Sequence, residues 1–216
     1  MKKSMYSLIL MDDVVREIDM LAAQQNTNRS NMVNQILAEY VSLVTPEKRI
    51  NNIFNYIENL LGTNTFVSFI EPHDRTMSVK SSLDFKYRPT IRYEVELYRT
   101  TEQTIGELKI IFRTQSSELL LRLKDFFNLW TKLEQIYLGN YFRNNPVTYS
   151  FDNGKFVRTF SIPSGKEYNT EEIAKAISDY IKVFDEIIKG FLSDKYQSVT
   201  EIENRYLQYL NECVII

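Results

Sequence analysis

Apolar side chains near the N-terminus recur twice at helical spacing. From Met11 to Gln25 they fall at Val14, Val15, Ile18, Leu21 and Ala22, one face of a 3.6-residue repeat. Asn26-Thr27-Asn28 interrupts the pattern, and a second stripe follows at Val33, Ile36, Leu37, Tyr40 and Val41. Ahead of both, Tyr6-Ser7-Leu8-Ile9-Leu10 reads as a short strand. One strand and two helices cannot cover their own apolar surface, and a lone strand leaves unpaired backbone groups along both edges. The pattern therefore predicts a dimer in which two strands pair and four helices interlock.

Leu43-Val44-Thr45-Pro46-Glu47 predicts a junction. Pro46 disfavours helix at Thr45, and Thr45 can cap a new helix with Pro46 in its first turn. That helix extends from residue 47 to about 61, with Ile50, Ile53, Phe54, Ile57, Leu60 and Leu61 on one side and Gly62 as its stop. Beyond Gly62 the period changes to two. Strands are predicted at residues 65–70, 76–81, 90–98 and 107–113, with 71–75 as a turn. A long helix from residue 116 to about 138 carries Leu119, Leu123, Phe126, Phe127, Trp130 and Leu133. A further hairpin, residues 146–151 and 155–162 around Asp152-Asn153-Gly154, leads into a helix capped by Asn169 or Thr170. The last helix, 199 to about 213, ends on Val214-Ile215-Ile216, an apolar run expected to pack. The whole reads as an α+β protein. Residues 1–45 form an N-terminal strand-and-helices unit, and residues 46–216 an antiparallel sheet with long helices layered on one face.

Composition narrows the function. The 216 residues suffice for two modest domains, and a formal net charge of −2 creates no global field toward nucleic acid or membrane. One cysteine, Cys213, excludes an intramolecular disulfide framework and suits a reducing compartment. No apolar run approaches the length of a membrane span, and the apolar part of MKKSMYSLILMDD stops at Asp12 without a cleavage site. The expectation is a cytoplasmic protein with no membrane partner. Catalytic chemistry is thin. His73 is the sole histidine and falls in a predicted turn, and there is no Gly-rich phosphate loop or cluster with metal-ligand spacing. The sequence thus points away from an enzyme and names no catalytic residue, metal or cofactor. Phe126, Phe127, Trp130, Tyr137, Tyr141 and Phe142 read as core more readily than as a ligand pocket.

The order strand–helix–helix, the element lengths and the Asn28-Arg29-Ser30 turn resemble the ribbon-helix-helix superfamily of DNA-binding proteins, in its CopG-like branch, over about residues 3–43. The resemblance implies that the paired strands of two copies enter the DNA major groove. Leu8 and Leu10 would then face inward, and Lys3, Met5, Ser7 and Ile9 the DNA. It further implies a phosphate grip at Asn28, Arg29, Ser30 and Asn31, where a helix N-terminus offers unpaired N–H groups and a positive dipole end. The implied partners are duplex DNA and a second copy, with neighbouring dimers forming a tetramer on DNA. The match has departures. Met5 and Ile9 carry no hydrogen-bonding group for a base edge, although each can touch a thymine methyl. Lys2, Lys3, Arg16 and Arg29 stand against Asp12, Asp13, Glu17, Asp19 and Glu39, a slightly acidic balance where phosphate neutralisation normally supplies much of the affinity. A second reading stays open: a protein-interaction module, antitoxin-like or scaffolding, that uses the same unit only to dimerise.

In the second domain Lys80, Lys86, Arg88 and Arg92 concentrate positive charge, interleaved with Phe85, Tyr87 and Tyr93. This is a candidate effector or anion site. Glu94 and Glu96 alternate with Arg92, which is equally the pattern of cross-strand charge pairing. The expected role of this domain is effector sensing or assembly.

Overall fold

Strict alternation in residues 90–97 sets the architecture. In the computed structural model, which describes residues 4–62, 66–70, 75–83, 89–99, 104–152 and 154–216, Ile91, Tyr93, Val95 and Leu97 are all buried on one side of their strand. Arg92, Glu94 and Glu96 take the other side, as the pleat requires. In chain order the elements are α1 (Asp12–Gln24), α2 (Arg29–Tyr40), α3 (Pro46–Leu61), β1 (Val67–Ile70), β2 (Thr76–Ser82), β3 (Thr90–Leu97), β4 (Thr104–Phe112), α4 (Ser117–Leu138), β5 (Tyr149–Asp152), β6 (Lys155–Ser161), α5 (Thr170–Leu192) and α6 (Val199–Glu212). The protein is α+β.

The strands form one antiparallel sheet in the order β1-β2-β3-β4-β6-β5. The hairpins β3–β4 and β5–β6 meet through β4 and β6, so Val95, Leu108, Arg158 and Tyr149 form one row across the sheet. Where β4 bulges, Gly106 lies so close to β3 that an added Cβ would stand 2.2 Å from the Glu96 carbonyl oxygen. Only glycine fits there. The inner face of the sheet and the apolar stripes of α3, α4, α5 and α6 share one continuous core. Phe126, Phe127 and Trp130 belong to that core: Phe127 stacks on Phe156 at 4.3 Å between ring centroids, and Trp130 Nε1 donates to Tyr180 Oη at 2.9 Å. Phe142 is also buried, whereas Tyr137 is half-buried and Tyr141 exposed.

Local signals in the sequence account for most helix ends. Thr45 Oγ1 accepts from Lys48 N with Pro46 in the first turn, and α3 stops at Gly62, φ 70°. Asn169, not Thr170, caps α5, and Glu172 returns the bond to close a capping box. α1 and α2 end on Asn26 (φ 49°) and Ser42 (φ 57°), with Thr27 N donating to the Ala22 carbonyl and Leu43 N to that of Ala38. Some expectations need correction. β4 starts at Thr104 because the strand continues through its bulge, and β5 starts only at Tyr149, since Thr148 N donates to Thr159 Oγ1 rather than to a ladder carbonyl. Residues 6–10 pair with none of the described strands. A ribbon strand needs a second strand, and one chain does not supply it. The turn around His73 lies outside the described residues.

Two polar networks cross the core. Arg158 occupies an inward position of β6 and is fully buried. Its Nε donates to Glu134 Oε2 at 3.0 Å and its Nη2 to the Ile216 backbone oxygen at 2.5 Å, and its guanidinium lies 4.3 Å from the Tyr180 ring centroid. Burial works against the charge, but the Glu134 carboxylate more than compensates and holds Arg158 above the usual arginine range. The apolar C-terminal run packs as expected, with Ile216 buried. In the second network Asp185 of α5 accepts from Tyr93 Oη at 2.8 Å, Ser81 Oγ at 3.3 Å and Lys189 Nζ at 2.6 Å, tying α5 to β2 and β3. Desolvation, and then the Asp185 charge, push the Tyr93 hydroxyl well above its ordinary range, so it remains a donor. Tyr93→Phe removes one donor from a buried carboxylate and is expected to cost about 1–3 kcal/mol in urea unfolding.

Candidate functional site

The N-terminal unit has a core of its own, and a small one: Ile18, Ala22 and Met32 are buried, with Val14 and Val33 packed beside them. Asn28 caps α2, its side-chain oxygen accepting from Asn31 N at 2.9 Å. Ser30 and Asn31 lie in the first turn behind it. The cap fixes the helix start and leaves its N–H groups directed toward solvent.

Most of the apolar stripe of α2 does not meet this core. Leu37 is 52% exposed and Tyr40 88%, with Ile36 and Val41 also open. The extended segment before α1 is uncovered too. Its exposure alternates: Met5 and Ile9 are wholly open, while Leu8 and Leu10 fall to 60% and 39%. Leu8 and Leu10 thus share the side nearer the helices, and Met5, Ser7 and Ile9 the outer side. The segment, the stripe of α2 and Leu43 and Val44 beyond it leave many large apolar side chains open to solvent.

Arg29 stands beside the cap but is engaged. It donates to both oxygens of Asp19 in α1, Nε–Oδ1 at 2.7 Å and Nη2–Oδ2 at 2.5 Å. The hydrogen bond from Arg29 holds the Asp19 carboxyl below its ordinary range, and Arg29 is raised in return. Both partners are exposed, so the pair is screened and exchangeable. The pairing with Asp19, a contact between two helices, leaves no signal in linear spacing. Lys3 lies outside the described residues.

Of the basic constellation in the second domain, Lys86 and Arg88 lie outside the described residues. Lys80 and Arg92 are register partners on the outer face of the sheet. Arg92 Nη2 is 3.0 Å from Glu94, and Lys109 sits between Glu96 at 2.7 Å, Glu107 at 3.0 Å and Glu94 at 3.6 Å. Burial disfavours the Lys109 ammonium, but its bonds to Glu96 and Glu107 outweigh that and raise it. Arg92 thus pairs along its own strand, and the cross-strand charge pairing of this face is made by Lys109 of β4 with Glu94 and Glu96 of β3.

Among the described residues no group of three or more His, Cys, Asp or Glu side chains could hold a metal ion, and no helix is long and apolar enough to cross a membrane. Sequence reasoning missed Arg158 with Glu134, although a charged residue between Phe156 and Phe160 on the inward parity of β6 was a readable signal. It also missed a cavity beside α3, lined by Arg49 and the loop between β6 and α5. No protein-family model, curated protein or solved structure matches the chain.

Proposed function

We propose that the chain is a DNA-binding transcriptional regulator that dimerises through an N-terminal ribbon-helix-helix. The observation that carries this reading is the unpaired extended segment at residues 5–10, lying with an uncovered stripe of α2 on a unit whose own core is three residues. A second copy completes both features: it supplies the missing strand and covers the stripe. Fully burying a large apolar side chain contributes about 1.5–3 kcal/mol, so Leu8, Leu10, Leu37 and Tyr40 from two copies offset the ~4–15 kcal/mol cost of association. Pairing puts Met5, Ser7 and Ile9 of both copies on the exposed side of a two-stranded ribbon, the shape a major groove admits. The α2 N-termini around Asn28 to Asn31 flank that ribbon and hold phosphates, with Arg29 exchanging Asp19 for DNA. The α+β domain serves as effector sensor or assembly platform.

Asn28→Asp tests the grip without removing the cap, because aspartate caps a helix as well as asparagine. It places a carboxylate where a phosphate should sit. DNA affinity is expected to fall about tenfold or more, with dimerisation and the melting temperature little changed. Unchanged DNA affinity in this variant would remove the α2 N-terminus from the interface.

The Asn28-to-Asp19 region also supports a second reading. Arg29 is already neutralised by Asp19, and Met5 and Ile9 offer bases no hydrogen bonds. Both facts suit a module that dimerises in the same way and binds another protein, antitoxin-like or scaffolding. Dimers with no affinity for any duplex at low salt would favour it.

A further inference from the structure

Beside α3 lies a concave cavity of about 520 Å³, within the range that holds small organic ligands. Its lining is mixed, with three apolar residues among polar ones: Phe142 and Ile173 are buried and Ile162 is half-buried. One wall is the loop between β6 and α5, preorganised by Gly165 at φ 77°, by Ser164 N donating to the Tyr141 carbonyl and by Lys166 N donating to that of Pro163. Arg49 of α3 lines the same cavity. Arg49 Nε is shielded from solvent and has no hydrogen-bond partner, and no carboxylate among the described residues pairs with the side chain. Desolvation alone lowers its pKa. A buried donor left unpaired costs about 1–3 kcal/mol, more when charged, so the arrangement asks for an acceptor.

We infer that this cavity binds a small organic anion, its carboxylate or phosphate head on Arg49 and its apolar body on Phe142, Ile162 and Ile173. A guanidinium presents paired N–H donors that match either head group. Lys166 adds a second cation at the rim, and Glu167 subtracts one, leaving a lining with a single net positive charge. That balance favours a singly charged ligand over a polyanion. Ser164 and Asn144 line the same cavity and supply neutral hydrogen-bonding groups. The site differs from the Lys80–Arg92 constellation, whose Arg92 is drawn into the charge pairs of the outer sheet face.

Its position gives the ligand a route to the N-terminal unit, a consequence that rests on the proposed regulator role. α3 begins directly after the turn that ends α2, and Lys48, next to Arg49, bridges back to Glu39 of α2 at 2.7 Å. A ligand that draws on Arg49 biases the angle between α3 and α2, and with it the spacing of the two α2 N-termini.

Isothermal titration of the full chain with benzoate, phenyl phosphate, inorganic phosphate and neutral benzamide tests the site. One anion per chain is expected to bind, with benzamide and inorganic phosphate each about tenfold or more weaker than the better aromatic anion. The better of benzoate and phenyl phosphate identifies the head group. Arg49→Gln is expected to weaken that anion about tenfold or more and Arg49→Lys by less, with both variants melting as the parent does. Benzamide binding equal to benzoate, undiminished binding in a folded Arg49→Gln variant, or no binding by either aromatic anion would overturn the assignment. Inorganic phosphate binding as tightly as phenyl phosphate would overturn the apolar half of it. The titration contains no DNA, so a chain that binds benzoate but no duplex keeps the site and loses only the regulatory reading.

Discussion

Replacing Leu8 with aspartate is expected to turn a dimer into a monomer and to abolish DNA binding at the same time. In the single chain Leu8 is 60% exposed on the same side of the extended segment as Leu10. In the proposed paired ribbon it would lie between two strands and four helices, where an unpaired carboxylate costs several kcal/mol in each copy. Because the ribbon is symmetric, both copies carry the defect, and the loss exceeds what the remaining apolar contacts of α2 can offset. Sedimentation equilibrium at micromolar concentration checks the first half and a duplex-binding titration the second. The α+β domain holds its own core, so its helices and sheet should melt as before. A Leu8→Asp chain that remains dimeric would mean that the copies associate elsewhere, with the outer sheet face or the α+β domain as the place to look.

The largest effect on folding is expected from Arg158→Met. The change leaves Glu134 fully buried without its cation, removes the bond to the Ile216 backbone oxygen and strips the guanidinium from Tyr180. Breaking one side of a buried ion pair typically costs about 3–5 kcal/mol. For a chain of this length that lowers Tm by roughly 6–20 °C. The informative control is Arg158→Met with Glu134→Leu. Removing both charges deletes two desolvation penalties along with one attraction, so the double variant should recover most of the loss. Thermal unfolding of the three variants beside the parent decides it. If the double variant is as unstable as the single one, the bond to Ile216 and the stacking on Tyr180 outweigh the ion pair.

The α+β domain was legible because its elements satisfy their own rules. The alternation of Ile91, Tyr93, Val95 and Leu97 became the inner face of β3, and Thr45 and Asn169 became caps. The aromatic residues of α4 are core because their stripe faces the sheet. What stayed hidden depends on contacts between elements distant in sequence. Asp185 reads as one more charge in a helix, and nothing local shows that Tyr93, Ser81 and Lys189 converge on it. Arg49 looks like an ordinary solvated cation of α3 until the fold brings it and the loop carrying Ser164 and Lys166 to one cavity. The N-terminal strand expected at residues 6–10 did not appear: that run pairs with none of the described strands, and under the proposed dimer its partner would come from a second copy. Strand order was also beyond the pattern, since nothing in periodicity places β6 between β4 and β5.

The central claim is that two copies read duplex DNA through the N-terminal unit. Fluorescence anisotropy of the full chain with DNA from upstream of its own gene and with a scrambled duplex, over a salt series, tests it most directly. A clear preference for the upstream duplex is expected, with a log–log salt dependence whose slope shrinks by about 2 when Arg29→Ala removes one phosphate contact from each copy. Equal affinity for both duplexes, or none for either at low salt, would contradict it and leave the N-terminal unit as a dimerisation device for a protein partner.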